Sequence, residues 1–106
     1  MLVIMTRIYD NAIVEDNAKI TGSARIYGWA WVRDRVRISH EARVYDNAWI
    51  CDDAFVTDGA HVHGNARISG RAQILYFSEI SGDTWLDGDI VIINSAMFKK
   101  DQYVVA

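Results

Sequence analysis

The chain is predicted to fold as an all-β triangular solenoid of about five coils, 18 residues to the coil. Three observations predict this. From Thr6 to Asp101 the sequence divides into 16 units of six with no insertion: TRIYDN, AIVEDN, AKITGS, ARIYGW and so on. The third position of each unit is Ile or Val in 14 of the 16, and the first is Ala in 11. The fifth is Gly, Asp or Asn in 13, with His40, Tyr76 and Lys100 departing.

Each column has a physical meaning. Residues two apart in an extended strand point to the same side, so positions 1 and 3 face inward and positions 2 and 4 face outward. A small residue beside a β-branched one is what a narrow interior accepts. Position 5 collects residues that tolerate φ > 0, which a sharp corner demands. His40 at such a corner is expected there for the same tolerance. A short strand and a corner every six residues must close on itself, and three sides make one coil. Neither 3.5 nor 3.6 fits a period of six, so coiled coils and helical stripes are excluded.

The single domain is expected to span 1–106. Met1–Met5 would cap one end, 6–101 form the repeats, and Gln102–Ala106 fold as a tail or cap across the other opening, since terminal repeats need covering. Half of the 106 residues are hydrophobic, which argues against disorder. The net charge of −3 argues neither for a general nucleic-acid binder nor for an acidic tail. The N-terminal apolar run is too short for a signal segment, and no run approaches the roughly 18 residues of a membrane helix. A single cysteine, Cys51, excludes an internal disulfide and fits a reducing compartment, so a cytoplasmic location is expected.

The Ala-x-Ile/Val-x-Gly/Asp-x units, from residue 6 to about 101, resemble the hexapeptide-repeat proteins. Strings such as Tyr45-Asp46-Asn47-Ala48 and Gly64-Asn65-Ala66 are similar to small, loopless members of bacteria and their phages, mostly without assigned activity. The resemblance implies a left-handed parallel β-helix, a handedness the period alone would leave open. It also implies an accessory role, such as blocking a host protein.

Outward residues 18 apart should stack, which gives three decorated sides. The first carries Arg7, Arg25, Arg43, His61, Glu79 and Met97 in one column. Beside it run Tyr9, Tyr27, Tyr45, His63, Ser81 and Lys99. Arginines on adjacent rungs repel, so this ladder implies an anionic partner or nearby carboxylates. Repeat duplication of a pair that tolerates exposure, with Arg stems packed on Tyr rings, is the plainer alternative. The second side carries Ile13, Trp31, Trp49, Arg67 and Trp85, with Trp29 at the neighbouring corner. Tryptophans forced outward suggest a contact between copies, a dimer or trimer, or a ladder that shields the coil. The third side carries Lys19, Arg37, Phe55, Gln73 and Val91 beside Thr21, Ser39, Thr57, Leu75 and Ile93. Its apolar half, Phe55, Leu75, Val91 and Ile93, calls for cover by the tail or by a second subunit.

No catalytic residue, cofactor or metal-ligand set is expected. The related acyltransferases generally use an extruded loop and a histidine at a subunit boundary; this sequence has no insertion. The related γ-type carbonic anhydrases bind zinc through three histidines, two of them five apart, whereas His40, His61 and His63 are spaced 21 and 2 apart. His61 and His63 do share one side of one strand, as two metal ligands would. Cys51 has positive charge nearby that could lower its pKa, yet no base accompanies it. The expectation is therefore a non-catalytic interaction protein. It would dock a protein with an acidic surface through Arg7, Tyr9, Arg25, Tyr27, Arg43, Tyr45, His61 and His63, and self-associate through Trp29, Trp31, Trp49 and Trp85. Nucleic acid is a less favoured partner and a membrane is not expected. An acyltransferase-like or metal-dependent enzyme with a site between subunits is the alternative.

Overall fold

Why every sixth residue must be special is visible in the backbone of the computed structural model, which describes residues 2–3, 7–93 and 103–105. All fourteen fifth-position residues from Asp10 to Gly88 have φ between 59° and 93°. His40 (61°) takes the corner conformation its position implies, and so does Tyr76 (59°), although a bulky side chain is disfavoured there. Between corners the chain is extended for two or three residues. Among the described residues these segments make seventeen short strands in three parallel sheets, with no helix.

The three sheets are the sides of the prism, about five coils of roughly 18 residues each. Pairing runs strictly between coils: Arg7 lies against Arg25, Trp31 against Trp49, and Lys19 against Arg37. The C-terminal strand Tyr103–Val105 joins the Trp side, pairing with Trp85–Asp87 one coil earlier. The eighteen-residue register therefore runs on past residue 101. At the other end Leu2–Val3 pairs with Lys19–Ile20, a step of 17 instead of 18. The remaining residues of the two expected caps, 1, 4–5, 102 and 106, lie outside the described residues.

The core is the axis of the prism. From Ala18 to Ile74 every first- and third-position residue is fully buried. Ser78 and Thr84 replace alanine and are equally buried. Each hydroxyl donates to the carbonyl three residues earlier, Leu75 at 2.9 Å and Ser81 at 2.7 Å, and among the described residues no buried side-chain polar atom is left without a partner.

Aspartate at a corner does more than tolerate positive φ. Its carboxylate accepts the backbone N–H of the corner one coil above, as Asp46 does from Gly64 at 3.1 Å and Asp52 from Gly70 at 3.0 Å. Backbone bonds such as Asn47 N–H to the Gly64 carbonyl, 2.9 Å, stitch the same corners.

Two outcomes follow. Ile50→Asp would place an unpaired charge in the closed axis at a cost of several kcal/mol, so circular dichroism should show loss of the cooperative strand melt. Tyr76→Asn should raise stability by about 0.5–1 kcal/mol in urea titration, because asparagine adopts the corner conformation more readily than tyrosine.

Candidate binding face

The side with the most ordered chemistry is the one bearing arginine and tyrosine, built on strands Arg7–Ile8, Arg25–Ile26, Arg43–Val44, His61–Val62 and Glu79–Ile80. Parallel register puts each fourth-position side chain directly over the last. The rings of Tyr9, Tyr27, Tyr45 and His63 form one continuous pile: centroids are 5.0, 4.9 and 4.8 Å apart and the planes differ by 3° or less. Ring faces are thereby turned to one another along the axis. What projects from the side is a row of phenol edges. Burial, then the neighbouring phenol Tyr9, pushes the Tyr27 hydroxyl above its ordinary range; burial and Tyr27 do the same to Tyr45. Both remain neutral O–H groups well into alkali.

Beside the pile runs the guanidinium row of Arg7, Arg25 and Arg43, in register from strand to strand. No carboxylate among the described residues lies within ion-pair distance of these three. His61 continues the row, and burial followed by the charge of Arg43 lowers its pKa. His63 ends the aromatic pile: its Nε2 lies 2.8 Å from Glu79 Oε2 and its Nδ1 3.6 Å from Asp46 Oδ2. With one ring nitrogen engaged by Glu79, the pair of histidines is not laid out as two free ligands. Among the described residues the only three potential metal donors close together are Asp34, Cys51 and Asp52, elsewhere and partly exposed. Burial and Asp52 push the Cys51 thiol up despite the opposing pull of Arg33, so the expectation of a lowered value is corrected. Low-dielectric surroundings and a carboxylate outweigh one guanidinium.

A shallow groove of about 260 Å³ borders the guanidinium row, with Arg25, Arg43 and His61 on one wall and Glu41, Gly59 and Phe77 on the other. Phe77 is 75% exposed, and its ring lies where a Cβ on Gly59 would come within 2.7 Å. Phe77, Gly59 and Glu41 lie outside the second- and fourth-position columns to which the strand alternation points. Reading the sixth positions at the same interval of 18 brings Ser23, Glu41, Gly59 and Phe77 into one column.

The Trp side is arranged differently. Trp31 is half-buried, donates from Nε1 to Glu15 at 2.6 Å, and meets Trp49 edge-on at 5.0 Å. Arg33 lies over Trp31 at 5.1 Å; Arg67 sits between Trp49 and Trp85, 4.9 and 5.6 Å from their ring centres. Trp29 stands at the corner, 65% exposed. Much of this aromatic surface is thus occupied by neighbours within the chain.

On the third side Phe55 and Leu75 are half-exposed and Val91 is 49% exposed, while the Ile93 side chain lies outside the described residues. The described C-terminal strand belongs to the Trp side. Among the described residues no helix is long and apolar enough to cross a membrane.

Comparison with protein-family models, with curated proteins and with solved structures finds no match to this chain.

The lowered pKa of His61 has a pH consequence. The unfolded chain takes up this proton first as pH falls through about 6.5, so the folded state loses stability below that value. His61→Asn should therefore lose less stability than the wild type between pH 8 and 5, measured by urea midpoints at each pH.

Proposed function

We propose that this chain is a non-catalytic binding module of the hexapeptide-repeat β-helix kind, which docks the acidic surface of a protein partner through its Arg/Tyr side. The observation that carries this reading is the contrast among its arginines. Arg35 and Arg71 are each answered by an aspartate one coil further on, Asp53 and Asp89, both at 2.6 Å. Arg7, Arg25 and Arg43 have no such answer among the described residues, although they stand in register where like charges repel. A partner presenting carboxylates would remove that repulsion and accept planar, paired hydrogen bonds from each guanidinium.

The tyrosine pile supplies the rest of the surface. Its rings are held by stacking before any partner arrives, so little side-chain freedom is lost on docking. Its O–H groups donate to the same class of acceptor. Phe77 adds an exposed apolar group at the border, which suits a partner whose acidic patch adjoins an apolar residue. The repeat pattern and the absence of any inserted loop in residues 7–93 favour this reading over acyl transfer.

Arg25→Glu combined with Arg43→Glu tests it. Binding to the acidic partner, followed by titration at increasing salt, should weaken by about 2–5 kcal/mol and lose most of its salt dependence. The melting temperature should stay near that of the wild type, because both residues lie outside the core. Unchanged affinity in the double variant would reduce the ladder to an echo of the repeat.

A further inference from the structure

A cleft of about 710 Å³ lies on another part of the prism, between the Lys/Phe side and the corner that precedes it. Its floor is one column of second-position residues in continuous register: Lys19, Arg37, Phe55 and Gln73. Its wall is the sixth-position column that includes Arg35 and Asp53. Arg35 grips Asp53 through two bonds, 2.6 and 3.1 Å, which keeps that carboxylate ionised and the wall in place.

Chemistry changes along this floor in a fixed order. At one end Lys19 and Arg37 stand on adjacent strands, about 4.8 Å apart in the backbone. Neither has a carboxylate within ion-pair distance among the described residues. Two cations so placed repel unless an anion bridges them. One rung further is Phe55, a half-exposed aromatic ring in an otherwise polar cleft. One rung beyond that is Gln73, whose amide offers a donor and an acceptor side by side. Asp53 stands beside Phe55 in the wall with its charge answered by Arg35, and the wall runs on to Arg71, itself paired with Asp89.

We infer that this cleft binds a nucleotide, with phosphate held by Lys19 and Arg37, the base against Phe55, and its hydrogen-bonding edge toward Gln73. An acidic peptide would use the cations but leave the ring and amide idle. A cationic groove with an aromatic platform is the arrangement by which proteins hold nucleotide units without reading long sequence. An amide is the side chain that pairs bidentately with adenine. This inference is independent of the Arg/Tyr side, which lies on a different sheet.

Calorimetric titration of the whole chain with AMP, adenosine, pyrophosphate and a tetraadenylate strand tests it. AMP is expected to bind with a Kd of about 1 mM or tighter, and adenosine about tenfold more weakly. Phe55→Ala should weaken AMP about tenfold while leaving pyrophosphate unchanged. Lys19→Glu with Arg37→Glu should abolish both, whereas Arg25→Glu with Arg43→Glu should alter neither. If the tetranucleotide binds no tighter than AMP, the ligand is the free nucleotide; markedly tighter binding assigns the same site to single-stranded nucleic acid. The inference is overturned if AMP shows no saturable binding up to about 10 mM, or if Phe55→Ala leaves AMP affinity intact. All five substituted residues face outward, and a strand-content spectrum matching the wild type confirms that each variant is folded.

Discussion

Everything in this molecule depends on one backbone conformation recurring every sixth residue. A corner at φ near +60° turns the chain through one angle of a triangle, and three of them return it above its starting point. Once that closure is imposed, no strand can pair within its own coil, and hydrogen bonds must run to the coil above and below. The narrow interior follows, and with it the restriction to alanine and β-branched residues. So does the alignment of outward side chains in vertical files. Outward side-chain chemistry here is written in columns because the backbone permits nothing else.

The corner also shows why aspartate and glycine are not equivalent solutions. Glycine satisfies the dihedral angle alone. Aspartate satisfies it at some conformational cost and also accepts the N–H of the next corner, as Asp46 does from Gly64. On the corner after the Arg/Tyr side the two residues alternate over the first four coils, Asp10, Gly28, Asp46, Gly64, and each aspartate caps the glycine above it.

Much of the fold was legible because the period is a covalent property of the sequence. Inward and outward positions, the coil length and the stacking partners of Arg25 or Trp49 all follow from counting by two, six and eighteen. Side-chain orientation within a file does not. The count puts Tyr9, Tyr27 and Tyr45 in line, but cannot say that their rings lie face to face, or that Trp31 meets Trp49 edge-on. Nor does it show that His63 is engaged by Glu79, because that contact joins neighbouring files. Phe77 escaped for a different reason: it sits on a corner, and corners read as spacing residues until their own eighteen-residue file is written out. Leu2–Val3 escaped too, since a step of 17 lies outside the period that found everything else.

The Arg/Tyr file carries a further implication of its sameness. Rungs Arg7/Tyr9, Arg25/Tyr27 and Arg43/Tyr45 are chemically alike and one coil apart. A surface made of identical steps has no intrinsic origin, so a ligand seated on two of them could slide by one and keep its contacts. The histidine pair on the next rung breaks that degeneracy. His63, tied to Glu79, stacks like a tyrosine but presents no phenol, and His61 is no longer a permanent cation. The ladder thus has a stop at one end, and on the proposed reading the alignment of a partner along the prism would be set by where the repetition ceases.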